Sequence, residues 1–594
     1  MQINKTIYYL KRIKELGFSN TIKRINAKSN QTIYKFYWKS KAKKLKANHI
    51  WNQISNIKFE VYLQNLKQKD FINKILKSNE FKVFLNQKSK SNKFCYVNYK
   101  NTNYKLLSKT FYQNIKIEQK QIENLKEFNF DIKIPWEESR FQDIFIWKNS
   151  NSDITFYNQI NNWINNNPYL LGINWFCPME VAIRAINWIY GFYFFKDSKN
   201  IPKYFWKKLI CSLYDHAKYL QNNWETSDKP NNHYLADLIG YLYLCFFLQD
   251  LKHFKKEKIK TIKKILEQFD HQIQNDGTSY EGSTNYHKLN TEIFLHFYIL
   301  CKTNNLQLPQ HFESKLQKMI QFISTCSDQN GNLIQIGDND SGKILTGLNK
   351  ILPNQKKNID QNLFHYPNFG LTIIKNKNWH ITLRHPTFNK KQPTGHFHQD
   401  ELTMTLSING IPILIDPGTY TYTANTKWRN FFRSIKNHNT FYIPSLETKL
   451  KNIDLFQLSK KEHPDATKIK NTNHLIEIES SCYKYYNFGL TQFRKIIFCK
   501  KDTLKINDWY NTKHPLISYW NLIFHPKIKL KKTKKNLYKI SINQKDFVSL
   551  ESNLNFKVKT GFYSKEYGEL EKCIKLVAQK KTDSIKSIIL IKKI

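Results

Sequence analysis

The sequence predicts an α+β chain of more than one domain, with an all-helical first part followed by an antiparallel β-sandwich. Three observations carry this. The chain has 594 residues, beyond the size at which a single hydrophobic core stops growing. Between about residues 147 and 327, apolar positions recur at helical spacing and strands are hard to place. Beyond about residue 355 the pattern changes to period two, with turn signals between short apolar runs.

Taken in order, residues 1–115 read as a Lys- and Asn-rich helical lead-in, with a helical stretch at 70–85. Residues 116–345 form the helical domain, with candidate helices at 179–195, 204–223, 234–248, 255–274, 285–303 and 312–326. Short polar or Gly/Pro-bearing connections separate them, such as 227–230 and 275–277. Consecutive helices of similar length on short loops are antiparallel neighbours; a bundle and an α/α toroid both satisfy this pattern. Residues 355–594 form the β-domain. Strands are expected at 371–374, 380–384, 402–407, 411–415, 475–478, 493–499, 517–524, 538–542 and 587–591. Asn409-Gly410 is a tight-hairpin signal. Many short strands with no helices between them make an antiparallel sandwich.

Composition bounds the partners. Hydrophobic residues make up 40% and aromatics 15%, enough for large cores. Tyr and Trp also suit sugar clefts, because each ring offers an apolar face and a polar edge. Lys+Arg is 94 against Asp+Glu 47, a net charge of +47, and such a field draws in polyanions. The excess is nearly all Lys beside abundant Asn and Ile, as an AT-rich coding sequence produces, so the charge alone identifies no partner. Arg, the preferred reader of bases and phosphates, is scarce, which argues against nucleic acid. The nine cysteines are scattered and free of C-x-x-C spacing, so neither a disulfide framework nor a thiolate metal site is expected. No apolar run reaches transmembrane length. The apolar stretch 7–10 is interrupted by Lys11 and Arg12 before it could form a signal-peptide core.

Four clusters combine polar groups with sharp turns. Asn231-Asn232-His233 stands at a helix start. Asn caps helices well, and an amide with an imidazole at a helix N-terminus can also grip a carboxylate. The stretch from Asp276-Gly277 through Glu281, Ser283 and Tyr286-His287 enters another helix and is too polar for a core segment; Asp276 or Ser283 can organise its turn. Gly395-His396-Phe397-His398-Gln399-Asp400 enters a strand, where residues two apart face one side, so His396 and His398 would project together. Asp416 ends a strand that hairpins back beside His398, and His438 follows. His398, Asp416 and His438 therefore suit a two-His, one-carboxylate metal site, or a His–Asp pair that braces the sheet. Of the remaining features, 337–342 looks faintly like a calcium loop but reads as the turn joining the domains. Glu180 and Arg184, four apart on one helix, suit an ion pair.

In this order the clusters resemble the heparinase II/III-like polysaccharide lyases. The resemblance adds Gly172-Ile173-Asn174-Trp175, Met179-Glu180, Arg184, Asn187-Trp188, Arg433-Ser434, His438-Asn439-Thr440 and Tyr567-Gly568, and covers roughly residues 120–594. It implies an incomplete (α/α) toroid followed by a C-terminal antiparallel β-sandwich, with a cleft between them, and cleavage of a uronic-acid-containing acidic glycan by β-elimination to an unsaturated uronate. By resemblance Asn232 neutralises the uronate carboxylate with His233 as helper. Tyr286 and His396 match the catalytic tyrosine and histidine, and His287 adjoins Tyr286 and would orient it. Which of Tyr286 and His396 is the base depends on the C5 epimer. His398, Asp416 and His438 match the ligands of a structural zinc ion found in some relatives; no organic cofactor is implied.

Relatives that degrade glycosaminoglycans are periplasmic, and similar chains accompany bacterial surface-polysaccharide biosynthesis. The expected partner is thus an acidic polysaccharide, glycosaminoglycan-like or a capsule or O-antigen glycan. The compartment is periplasm or envelope by resemblance and cytoplasm by the missing export signal; the oligomeric state is left open. Two rival readings stand beside the lyase. One is a catalytically inactive glycan-binding or surface-polysaccharide assembly protein of the same fold. The other is a toroidal glycoside hydrolase, which needs two carboxylates flanking one bond; Glu281 and Asp276 are the candidates.

Overall fold

The structure, a computed structural model, describes residues 59–69, 74–75, 133–170, 173–345, 363–385, 387–388, 392–447, 455–458, 465–499 and 502–594. Most of the expected lead-in, including nearly all of the stretch 70–85, lies outside the described residues. Its described part is α1 (Phe59–Gln68), whose Leu66 is fully buried against the helical core.

The helical part continues with α2 (Lys133–Glu138), α3 (Ile144–Asn149), α4 (Asp153–Asn166) and α5 (Pro178–Phe195). Then come α6 (Lys203–Asn222), α7 (Asn232–Phe247), α8 (Lys252–Gln272), α9 (Thr284–Thr303) and α10 (Gln310–Cys326). The six helices expected from periodicity appear within three residues of their expected bounds. Periodicity left bundle and toroid open; burial decides. α5 and α7 are apolar nearly all round, and they and α9 are buried on nearly every face, whereas α4, α8 and α10 bury only one stripe. Inner and outer helices thus alternate along the chain, as in an incomplete (α/α) toroid. The inner helices approach closely because Gly240 of α7 has no side chain; a Cβ there would stand 2.5 Å from that of Ala182 on α5. Among the described residues no helix is long and apolar enough to cross a membrane.

Glu180 and Arg184 correct the expectation of a mutual ion pair. Glu180 accepts two bonds from Arg140, from Nε and Nη2, each 2.7 Å. Arg184 donates instead to His216 Nε2 (2.9 Å) and the Asn174 carbonyl (3.1 Å), with Trp163 against its guanidinium. A buried Arg takes the partners its planar fork can reach at once, wherever they lie in sequence.

Two antiparallel sheets follow. The first is a five-stranded meander of β1 (Leu363–Tyr366), β2 (Leu371–Lys375), β3 (Trp379–Arg384), β4 (Met404–Ile408) and β5 (Ile411–Leu414). Asn409 and Gly410, both at positive φ, make the expected hairpin between β4 and β5. β4 begins two residues later than expected, because Leu402 is left-handed (φ 57°) and breaks the ladder. The chain then passes through α11 (Thr426–Phe432), β6 (Phe441–Tyr442) and α12 (Pro444–Glu447) into the larger, ten-stranded sheet. That sheet is built on β7 (Thr503–Ile523), paired along most of its length with the C-terminal strand Glu571–Lys593. Trp379, Leu406 and Ile408 of the first sheet share one core with Ile478, Leu504 and Trp520 of the second, which makes the pair a sandwich.

Candidate active site

Helix ends and loops present the site. Asn231 caps α7 by accepting from His233 N (3.1 Å), so Asn232 is the first helical residue. Ser283 caps α9 by accepting from Tyr286 N (3.2 Å). Both capping and site chemistry are therefore present, on neighbouring residues. Between these ends and the β-domain runs the segment 334–340. Ser283 Oγ donates to the Asp338 carbonyl (2.6 Å), and Asp338 N donates to the His396 carbonyl (3.0 Å). The 395–400 loop lies on the opposite side, and Gly282 allows it to come close: at φ 72° a Cβ there would stand 2.2 Å from the Phe397 ring.

Asn232, Tyr286 and His396 meet at this junction. The rings of Tyr286 and His396 stack with centroids 3.5 Å apart and planes 14° from parallel. Asn232 Nδ2 lies 3.3 Å from His396 Nε2 and donates to Glu281 Oε2 at 2.6 Å. Glu281 only accepts, so it fixes which end of the Asn232 amide faces the ring. On the other side, His396 Nδ1 is 3.2 Å from Asp338 Oδ2. The shorter carboxylate contact favours the proton on Nδ1, and Nε2 then faces the Asn232 amide and, at 3.5 Å, Glu281 Oε2.

Asp338 is the hub. Its carboxylate also takes His398 Nε2 (2.9 Å) and both terminal nitrogens of Arg429, with all of these side chains buried. Burial alone would raise this carboxyl, but Arg429, His396 and His398 outweigh it and hold it well below the usual range. His396 and His398 thus share one carboxylate although they sit on a loop rather than a strand.

The helix N-terminus differs from expectation. The backbone N–H of Asn232 donates to Glu281 Oε1 (3.0 Å), so the anion at the start of α7 is the protein's own. The groups left beside that terminus are the Asn232 side chain and His233. His233 Nδ1 lies 3.1 Å from both oxygens of Glu225. Burial lowers its basicity, but Glu225 prevails and lifts its pKa to about 9, so the ring is cationic at neutral pH. Cys177 Sγ is 3.8 Å from the same carboxylate, and the His–Glu ion pair accounts for this grouping.

His287 does not join the site. Its Nδ1 accepts from Ser279 N (3.1 Å) and its Nε2 donates to the Met319 carbonyl (3.0 Å). Burial pushes it down to about 4, so it is a neutral brace for the 279–282 loop, not a neighbour that orients Tyr286. Asp276 is occupied elsewhere, accepting from Thr278 N and Oγ1 in its own turn and from Asn368 N at 3.3 Å. It provides no second carboxylate beside Glu281, which is the arrangement a hydrolase requires.

His398, Asp416 and His438 each bring one ligand atom within 4.8 Å of the others, and all three are buried. His438 Nδ1 is bonded to the Ser434 carbonyl (2.9 Å), leaving Nε2 to face Asp416 at 3.5 Å. Among the described residues neither that Nε2 nor Asp416 Oδ2 finds a hydrogen-bond partner, as suits ligands of a cation.

Three residues of the site were not singled out as functional in the sequence: Asp338, Glu281 in its present role, and Tyr422, whose hydroxyl is 3.1 Å from that of Tyr286. The 337–342 stretch read as a turn. The usable signal was acid density, since Asp338 and Asp340 stand together in a chain where bases outnumber acids two to one.

Comparison with known proteins agrees with this layout. Residues 145–352 match a model of the heparinase II/III N-terminus, and residues 358–591 match one described as heparinase II/III-like, C-terminal. A curated heparin-sulfate lyase from Pedobacter heparinus is 24% identical over 312 residues, covering 48% of this chain and 46% of that protein. The chain therefore aligns with about half the length of that relative. Among solved structures, one heparinase III has a TM-score of 0.64 at 16% identity, covering 77% of this chain and 76% of the other. A second heparinase III has a TM-score of 0.60 at 17% identity, covering 81% and 80%. At these identities the structural likeness is one of fold.

Proposed function

The chain belongs to the heparinase II/III-like family, and on that premise we propose that it is a polysaccharide lyase that cleaves a uronic-acid-containing glycan by β-elimination. The observation that carries the reading is the meeting of Asn232, Tyr286 and His396 from α7, α9 and the β-domain loop.

The chemistry follows from their states. The C5 proton of a uronate is weakly acidic because the adjacent carboxylate is already charged. Asn232 and the cationic His233 offset that charge as it grows in the transition state. His396, with its proton on Nδ1 toward Asp338, offers the Nε2 lone pair as base. Burial, with Asp340 and Asp338 nearby, holds the Tyr286 phenol well above its usual range. It therefore stays protonated and can donate to the leaving O4. A substrate of the opposite C5 configuration would exchange these two roles.

The test is digestion of defined uronate polysaccharides, glycosaminoglycans and bacterial capsule or O-antigen glycans among them. Ultraviolet absorbance is followed for the new C4–C5 double bond, and product mass is measured. Reducing ends without double bonds, or tight binding without turnover, would each overturn the lyase reading.

We also propose zinc at His398, Asp416 and His438, two nitrogens and one carboxylate as zinc favours. Its chemistry there would be structural. His398 reaches Asp338 through its other nitrogen, so the ion would stiffen the carboxylate that orients His396. Purified protein is expected to hold about one zinc per chain by plasma mass spectrometry. His438→Ala is expected to hold none and to melt at lower temperature; equal metal content in the two proteins would rule the site out.

A further inference from the structure

Tyr286, His396, Asp338, Arg429 and Tyr422 form a closed circuit of contacts. Tyr286 stacks on His396, which bonds Asp338, which is paired with Arg429. The Arg429 guanidinium lies 4.9 Å from the Tyr422 ring centroid, and the Tyr422 hydroxyl returns to that of Tyr286 at 3.1 Å. Tyr422 is itself held in place. Its backbone N–H donates to the Tyr567 hydroxyl (3.0 Å), and the rings of Phe456 and Tyr567 pack on it edge-on at 5.4 and 5.2 Å. Both phenols are nearly excluded from solvent.

We propose that Tyr422 is a positioning residue for Tyr286: its hydroxyl donates to the Tyr286 oxygen, aims the Tyr286 proton at the substrate, and stabilises the phenolate left when that proton departs. The inference rests on the lyase reading for its consequence in turnover, but the hydrogen bond itself can be tested without substrate.

Two hydroxyls sharing one contact can orient either way. Asp338 and Asp340 press on both phenols, but the Arg429 guanidinium lies against the Tyr422 ring, and that cation makes Tyr422 the better donor of the two. If Tyr422 donates, the proton of Tyr286 is free for another acceptor, and the stacked His396 leaves the substrate side as its direction. During elimination the Tyr286 O–H bond breaks, its proton goes to the departing O4, and the oxygen keeps the electron pair. Without help that charge would form in a buried pocket facing Asp338, Asp340 and Glu281, all acidic. The bond from Tyr422 is the contribution that offsets this environment, which burial, Asp340 and Asp338 otherwise make hostile to a phenolate. The groups facing Tyr422 are Asp338, Tyr286, Asp340 and Arg429, and Arg429 is the cation among them.

The experiment places 3,5-difluorotyrosine at position 286 of the full chain and follows its fluorine resonance against pH, with Tyr or Phe at 422. Tyr422→Phe is expected to move the titration midpoint up by about one to two units, the weight of one charge-assisted hydrogen bond. In the unlabelled protein the same variant is expected to lower kcat by about 10- to 100-fold with KM nearly unchanged. 3-Fluorotyrosine at 422, which keeps the hydroxyl, is expected to restore kcat. An unmoved midpoint overturns the proposal, as does a loss of kcat that 3-fluorotyrosine does not recover. Should the wild type turn over no uronate, the lyase reading fails, and the fluorine titration still decides whether Tyr422 supports the Tyr286 oxygen.

Discussion

Tyr286→Phe is expected to lower kcat on a uronate polysaccharide by about 10²- to 10⁴-fold, the range a positioned acid or base contributes. The substitution removes one oxygen and nothing else. The phenylalanine ring still stacks on His396, and the backbone still donates to the Ser283 cap. The orphaned Tyr422 hydroxyl costs little by comparison. Folding should therefore persist while turnover is lost, and KM should stay within a few-fold, because proton transfer is felt only in the transition state. The measurement is double-bond absorbance against time beside an unchanged circular dichroism melt. Wild-type rates in the variant would remove Tyr286 from the chemistry.

Asp338→Asn is expected to be the most damaging single change to stability. Arg429 and Asp338 are both fully buried, and the asparagine would leave the guanidinium without its counter-charge. Breaking a buried pair from one side costs about 3–5 kcal/mol, read as a fall in the urea midpoint at neutral pH. The pH dependence has a definite sign. Burial opposes the Asp338 anion, but Arg429, His396 and His398 depress its folded pKa well below the value near 3.9 expected in the unfolded chain. Its contribution is complete above about pH 4 and is lost as pH falls through the lower folded value. The wild type should therefore lose stability in acid more steeply than the variant, which lacks the titrating group. Activity should fall too, because an amide has one uncharged accepting oxygen where the carboxylate serves His396, His398 and Arg429 with two, and it holds the His396 proton on Nδ1 less firmly. An unchanged urea midpoint would mean that Arg429 finds its compensation elsewhere.

Much of this was legible in one dimension. Helical and two-residue periodicities are local properties, so the order of elements and the Asn409-Gly410 hairpin could be read directly. Clusters in which reactive residue types stood beside turns also pointed to Asn232, Tyr286 and His396. Adjacency misled where direction mattered. His287 follows Tyr286, yet successive helical residues point about 100° apart, and its ring faces Ser279 and Met319. Glu180 and Arg184 were four apart and still chose other partners.

Which stretches are helix or strand, and which residue types stand at the loop ends, follows from the order of residues, because backbone preference and side-chain period act over a few neighbours. That the helices alternate inner and outer, and that Asp338 sits at the hub, emerged with the packing of the folded chain. That packing also decided that Glu281 occupies the helix terminus and that Tyr422 reaches Tyr286 across 136 residues. A buried charge or hydroxyl must find a partner wherever folding delivers one. That partner is set by how two domains pack, which no local pattern encodes.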